Sequence, residues 1–366
     1  MILVRNDASY LFAESGMLVW SALLAAVLAT DSTRVSPDPS VTITVDSSRK
    51  ELVLTAGPFD LPNMPPMDEQ AMMDRSMSHD TPIQHFDWPI EGWLRGFELE
   101  LRDAQGHPVP RRVIHHMIMV NFSRRMLLYP APERLFGAGT ETGDIKVPKT
   151  VGVPVEPGMD LGLYLAWHND TGSDLQGVEM TLRILWTPRN QNPPPVNAMP
   201  IYMDVNLTVG GSNTFDLPPG RSEKAHEFVL PLAGRLLGVG GHLHDYGVRV
   251  RLEDAESGKL LAEVKATRDS AGKVSKVGRQ LFGVTGDGLK LKANHRYRVV
   301  GEYDNPTGET LVRGAMAHMS GLFVPDDMSQ WPKIDPSNPD YQRDLVSLQV
   351  EGEDEGGPPG HGHSGH

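Results

Sequence analysis

The sequence predicts an all-β protein organised as two sandwich domains. Three observations carry this: short stretches that alternate strictly between apolar and polar residues, an abundance of turn formers, and a run of prolines near the middle of the chain. The 366 residues include 37 Gly and 30 Pro, which favours many turns and short strands. No apolar period of 3.6 runs through the central part, so helices are not expected there.

The strands follow in order. Residues 41–45 (VTITV) alternate and open the first domain. Residues 97–101 (FELEL) alternate and run into a turn at 103–108. Residues 178–184 (VEMTLRI) and 248–252 (VRVRL) repeat the pattern, the latter before a Glu-Ser-Gly-Lys turn at 256–259. Residues 297–303 supply a further strand. The boundary falls at 190–200 (NQNPPPVNAMP), because three successive prolines cannot sit inside a sheet and make a stiff connector. It separates an N-terminal domain at 41–189 from a C-terminal domain at 201–325. Residues 326–366 turn polar and end in EGEDEGGPPGHGHSGH, expected to be a disordered tail.

Residues 17–30 (MLVWSALLAAVLAT) form an uncharged apolar run. It is short for a membrane span, which needs about 20 residues. Residues 1–30 therefore read as a signal peptide or N-terminal anchor, with small residues set for cleavage after Ala29. The lead-in is unusual in carrying Asp7 and Glu14, and Met17 offers a second start. The expected location is outside the cytoplasm: periplasmic, secreted or cell-surface. No stable membrane insertion is expected beyond that anchor.

Composition excludes several classes. The net charge is −13 and no basic stripe appears, which argues against a nucleic-acid partner. The absence of Cys removes disulfides, iron–sulfur clusters and thiolate metal sites together. No phosphate-binding loop, serine-nucleophile elbow or dinucleotide fingerprint is present. Any transition metal must be held by His, carboxylate or Met.

Fourteen histidines are present, and three groups stand out. His115 and His116 adjoin in the apolar stretch VIHHMIMV. Neighbours on a regular strand point to opposite faces, so both reach one metal only where the strand bulges or ends; otherwise one is core and one surface. His168 follows the apolar run LGLYLAW and precedes a polar turn, which puts it at a strand end, as a ligand or a rim histidine. His242 and His244 are spaced i, i+2 between glycines; on a strand they share a face and can pinch one ion. Late in the chain, Met316, His318 and Met319 lie in RGAMAHMSGLFVP. A thioether suits copper, above all Cu(I), although a strand Met is more often core.

The order His-His-Met, strand-end His-Asn-Asp, His-x-His and late Met resembles the copper type II, ascorbate-dependent monooxygenases, the group of peptidylglycine α-hydroxylating monooxygenase and dopamine β-monooxygenase. The resemblance spans about residues 85–325 and rests on these short motifs in order. It implies two tandem jelly-roll-like antiparallel β-sandwiches, each contributing one mononuclear copper. By this resemblance His115, His116 and His168 hold the electron-transferring copper. His242, His244 and Met319 hold the catalytic one, with Met316 as the alternative methionine and His318 as a bystander that could compete. Met319 is preferred because MSGLFV matches the family's Met-x-x-Leu-aromatic-aliphatic strand. The implied reaction is hydroxylation of a C–H bond of a small-molecule or peptide-like substrate, using O2 and an ascorbate-type reductant. The alternative is an exported copper-binding or copper-handling protein without turnover.

The chain departs from the family in two respects. It lacks the disulfides of the eukaryotic members. It also places Gly240 where peptide-amidating members hold the substrate carboxylate with Arg, and Gly321 and Phe323 where they carry Asn and Tyr, so peptidylglycine is not the expected substrate. A Met-rich stretch (Met64, Met67, Met72, Met73, Met77, with His79) reads as a Cu(I)-collecting loop or as a flexible loop packed over the domain, and the tail histidines His361, His363 and His366 as a loose Cu(II) or Zn(II) site or a solvated tail without function. His85, His107, His226 and His295 have surface or turn contexts and receive no role.

Overall fold

The computed structural model describes residues 40–64, 79–139, 141–283 and 287–350. The apolar run near the N-terminus, Met67 to Met77 and the tail histidines lie outside the described residues. Among the described residues no helix is long and apolar enough to cross a membrane.

The chain is all-β, and each expected strand is present. In the N-terminal half a seven-stranded sheet runs in the order Ser40–Asp46, Glu51–Leu61, Leu175–Pro188, Gly92–Arg102, Val151–Val155, Val196–Asn197, with Ile145–Lys146 beside Gly92–Arg102. A four-stranded sheet faces it: His79–Asp87, Asp160–Trp167, Ile114–Arg125, Pro132–Gly139. Alternation explains the pairing of faces. Leu52 and Leu54 sit opposite Ile184 and Leu182, and all four turn inward. Leu161, Leu163, Leu165 and Trp167 come up from the other sheet to close one core. Strand Asp160–Trp167 is buried on both faces, which is why its sequence DLGLYLAW is nearly continuous in apolar residues.

The C-terminal half repeats the plan. One sheet orders Met199–Asp204, Ala317–Pro325, Gly234–Leu243 and Arg279–Leu281, with Leu289–Leu291 beside Gly234–Leu243. The other orders Gly220–Leu230, His295–Asn305, Gly247–Asp254, Leu260–Arg268 and Val274–Val277. Val250, Leu252, Val299 and Tyr303 face the second core, while Arg249 and Arg251 form an outer ladder with Glu302 and Glu263.

Two expectations about the connections need correction. The Pro-rich segment does not stand apart: after its prolines, Val196–Asn197 pairs in parallel with Val151 and Gly152, and the next sheet begins at Met199. The backbone donors that follow the prolines are thus free to join a sheet edge. The region after 325 is also not wholly irregular. It forms helix Pro339–Val350, entered at Asn338, whose side chain accepts from the backbone N–H groups of Asp340 and Tyr341. Asp344 on this helix accepts both Nη1 and Nη2 of Arg134, at 2.8 and 3.1 Å, and Arg343 donates to the Val209 carbonyl. The helix thereby bridges the two halves. Leu127, from the turn after Ile114–Arg125, inserts into the C-terminal core.

Candidate metal centre

The histidine pair sits at a strand irregularity. Ile114 pairs with Trp167 and His116 with Ala166, so the register shifts at His115. That shift turns both rings to one side, and they stack with centroids 4.1 Å apart. His168 leaves the end of the paired strand, and its backbone N–H donates to Val113 at 2.8 Å. It is 5% exposed and close enough to His115 to act on it electrostatically. His115 and His116 line the cavity between the sandwiches, whereas His168 is not among its lining residues.

On the C-terminal side, His242 lies directly opposite His318, and Gly241 opposite Met319. His242, His244, His318 and Met316 line the same wall. His242 and His318 stack at 5.1 Å, and His242 meets His244 edge-on at 5.3 Å. Register decides the methionine. Met319 is one residue out of phase with His318, so its side chain turns into the hydrophobic core, fully buried among apolar neighbours. The expectation of Met319 as ligand is corrected on this ground. Met316 shares the face of His318 and is the thioether on the site wall. His318, expected to point away, is part of the cluster.

The two groups are not far apart: His116 and His242 approach with ring centroids at 6.0 Å. Their common space is a cavity of about 1040 Å³ between the sandwiches. Tyr164 and Ala166, from the outer face of strand Asp160–Trp167, wall it on one side.

Glu141, on the loop after Pro132–Gly139, accepts a hydrogen bond from His242 Nδ1 at 2.7 Å. The motif reading missed it, because a carboxylate in a loop has no period to betray it. With Nδ1–H given to Glu141, His242 keeps its lone pair on Nε2, which is buried and without a hydrogen-bond partner. Nδ1 of His244 is likewise buried and unpartnered. A second carboxylate works on His318. Asp204 is fully buried and accepts from Tyr202 Oη at 2.7 Å and from Asn213 at 3.2 Å. With its proton so committed, the phenol oxygen accepts from His318 Nδ1 at 3.1 Å, again leaving Nε2 bare.

Electrostatics keep most of these rings neutral. Burial, then the neighbouring His242 and His168, push His115 down to about 4. Burial pushes His244 down to about 3, and holds His116 and His318 well below the ordinary histidine value. His242 is the exception: burial lowers it, but Glu141 outweighs that and raises it. Burial would raise Glu141, yet His242 brings it down to about 2.

Neutral imidazoles with bare, buried nitrogens are the ligating state. Imidazole with a thioether and no thiolate is a copper-type donor set, so the residues present fit copper. Among the described residues, however, no group of three or more His, Asp or Glu side chains is placed so that it could hold a metal ion together.

No known protein family matches the sequence, and no curated protein does. Among solved structures, PNGF-II is similar over 80% of this chain at 9% identity and a TM-score of 0.32; this chain spans 62% of its length. A Faustovirus major capsid protein is similar over 83% of this chain and 81% of its own, at 7% identity and a TM-score of 0.24. At these scores neither bears on function.

Proposed function

We propose that this chain is a copper-dependent monooxygenase that hydroxylates a C–H bond of a small-molecule or peptide-like substrate, with O2 and an ascorbate-type reductant. One observation carries the reading: five part-buried imidazoles from two sandwiches meet at the wall of one cavity, together with a thioether, and desolvation keeps four of them neutral. In this reading His115, His116 and His168 hold one copper, and His242, His244 and Met316 the other. When bound, copper supplies one-electron transfer and activation of O2.

The chain's own residues do the rest. Glu141 fixes the His242 tautomer and leaves Nε2 as the nitrogen that would hold the ion. The Asp204–Tyr202 pair sets His318 beside it. The apolar wall limits water at the reacting carbon. An exported location, proposed from the N-terminal apolar run, would expose the sites to extracellular copper.

Copper loading followed by elemental analysis, with ascorbate-supported oxygen uptake, tests this. The expected result is about two tightly held copper ions per chain and uptake that a substrate stimulates and His242→Ala abolishes. Less than about one copper per chain overturns every copper reading. Stoichiometric copper with no substrate-coupled uptake moves the assignment to a copper-binding protein without turnover.

A further inference from the structure

A buried cation on the cavity wall has no carboxylate partner among the described residues. Arg95 lies in strand Gly92–Arg102, where Leu185 pairs with Gly96 and Trp186 with Leu94, which leaves Arg95 as the extra residue of a bulge. Gly96 makes the bulge feasible. It has φ +138°, and a Cβ there would collide with the Ile145 carbonyl. Arg95 is 7% exposed and lines the cavity between the sandwiches. Among the described residues its guanidinium makes one hydrogen bond, Nη1 to the Val147 carbonyl at 3.3 Å. Nε is buried and unpartnered. Burial lowers the pKa, as expected of a cation with nothing to offset its desolvation.

Among the described residues the wall offers it no counter-ion. Its two carboxylates are taken, Glu141 by His242 and Asp344 by Arg134. Arg95, Arg134, Lys146, Lys276 and Arg279 line the same space, so basic residues outnumber acidic ones there in a chain of net charge −13. The cavity lining also includes the apolar side chains of Leu94, Phe97, Val153, Leu237 and Leu322.

We propose that Arg95 is the anchor of a binding site for an organic monocarboxylate with an apolar body. With Nη1 on Val147, the Nε–Nη2 edge carries two parallel donors, matched to the two oxygens of one carboxylate. The hydrocarbon part lies along the apolar wall, in the cavity that His116 and His242 share. This deepens the monooxygenase reading by naming the substrate class, but binding is decided without copper, so the two stand or fall separately.

The test is calorimetric titration of octanoate and octanamide into the full chain without added copper. Octanoate is expected to bind about 10- to 100-fold more tightly than its neutral amide, the range for hydrogen bonds to a charged group. Arg95→Met is expected to abolish that preference while leaving octanamide affinity unchanged. Arg95→Lys, which keeps the charge and loses the paired donors, is expected to retain only part of it. Octanoate should raise the melting temperature of the parent but not of Arg95→Met. Absence of saturable octanoate binding, equal affinity for acid and amide, or full octanoate affinity in a folded Arg95→Met overturns the proposal. Should Arg95→Met fail to fold, the parent comparison and Arg95→Lys decide: a preference undiminished in the lysine variant overturns the paired-donor anchor.

Discussion

Glu141 of the N-terminal sandwich accepts a 2.7 Å hydrogen bond from Nδ1 of His242 in the C-terminal one. Both side chains are nearly buried, so the contact is little screened by water. It joins the two halves at the site and fixes which nitrogen of His242 faces the cavity.

Glu141→Gln tests that contact. A carboxylate behind a ligating histidine raises its basicity and holds its orientation, and loss of such a partner weakens metal binding roughly 10- to 100-fold. The variant is expected to show that loss for copper in a chelator competition, with near-parent binding at the His115, His116 and His168 group. Unchanged affinity would remove Glu141 from the positioning role.

The two methionines should behave oppositely. Met319→Ala empties a fully buried core position and is expected to cost about 2–5 kcal/mol in denaturant unfolding. Met316→Ala is expected to be mild for stability but to lower Cu(I) affinity and remove copper–sulfur scattering from the X-ray absorption spectrum. Persistence of that scattering in Met316→Ala would return the ligand role to another residue.

Arg124 donates to Glu133 at 2.6 Å, and the glutamate is 1% exposed. Arg124→Met strands a buried carboxylate, with an expected cost of about 3–5 kcal/mol near neutral pH. Burial already holds Glu133 above the usual carboxylate range against the pull of Arg124, and removing Arg124 raises it further. A carboxyl whose folded pKa lies above its unfolded one gains stability as pH falls through the folded value. The deficit should therefore shrink on acidification, as urea titrations at several pH values would show. A deficit that grows on acidification contradicts this account.

The helix Pro339–Val350 depends on its two-point ion pair. Arg134→Met leaves Asp344, 6% exposed, without its cation and is expected to release the helix locally. Hydrogen exchange should accelerate at amides of residues 339–350 while strand Pro132–Gly139 stays protected. Unchanged protection would mean that Arg343 and apolar packing suffice.

The sequence by itself determined the strands and three histidine groups. Alternation with period two is local, so 41–45, 97–101, 178–184, 248–252 and 297–303 were each legible, and i, i+2 spacing put His242 and His244 on one face. The same period says which residues share a face, but not which face meets the cavity. Pairing of His242 with His318 decided that, sending Met319 into the core and Met316 to the site. Tertiary structure alone also brought the ring centroids of His116 and His242 to 6.0 Å and left Arg95 in the cavity without a carboxylate partner among the described residues. Glu141 sits in a loop, where no periodicity exists, and its role arises only when a sandwich distant in sequence packs against it.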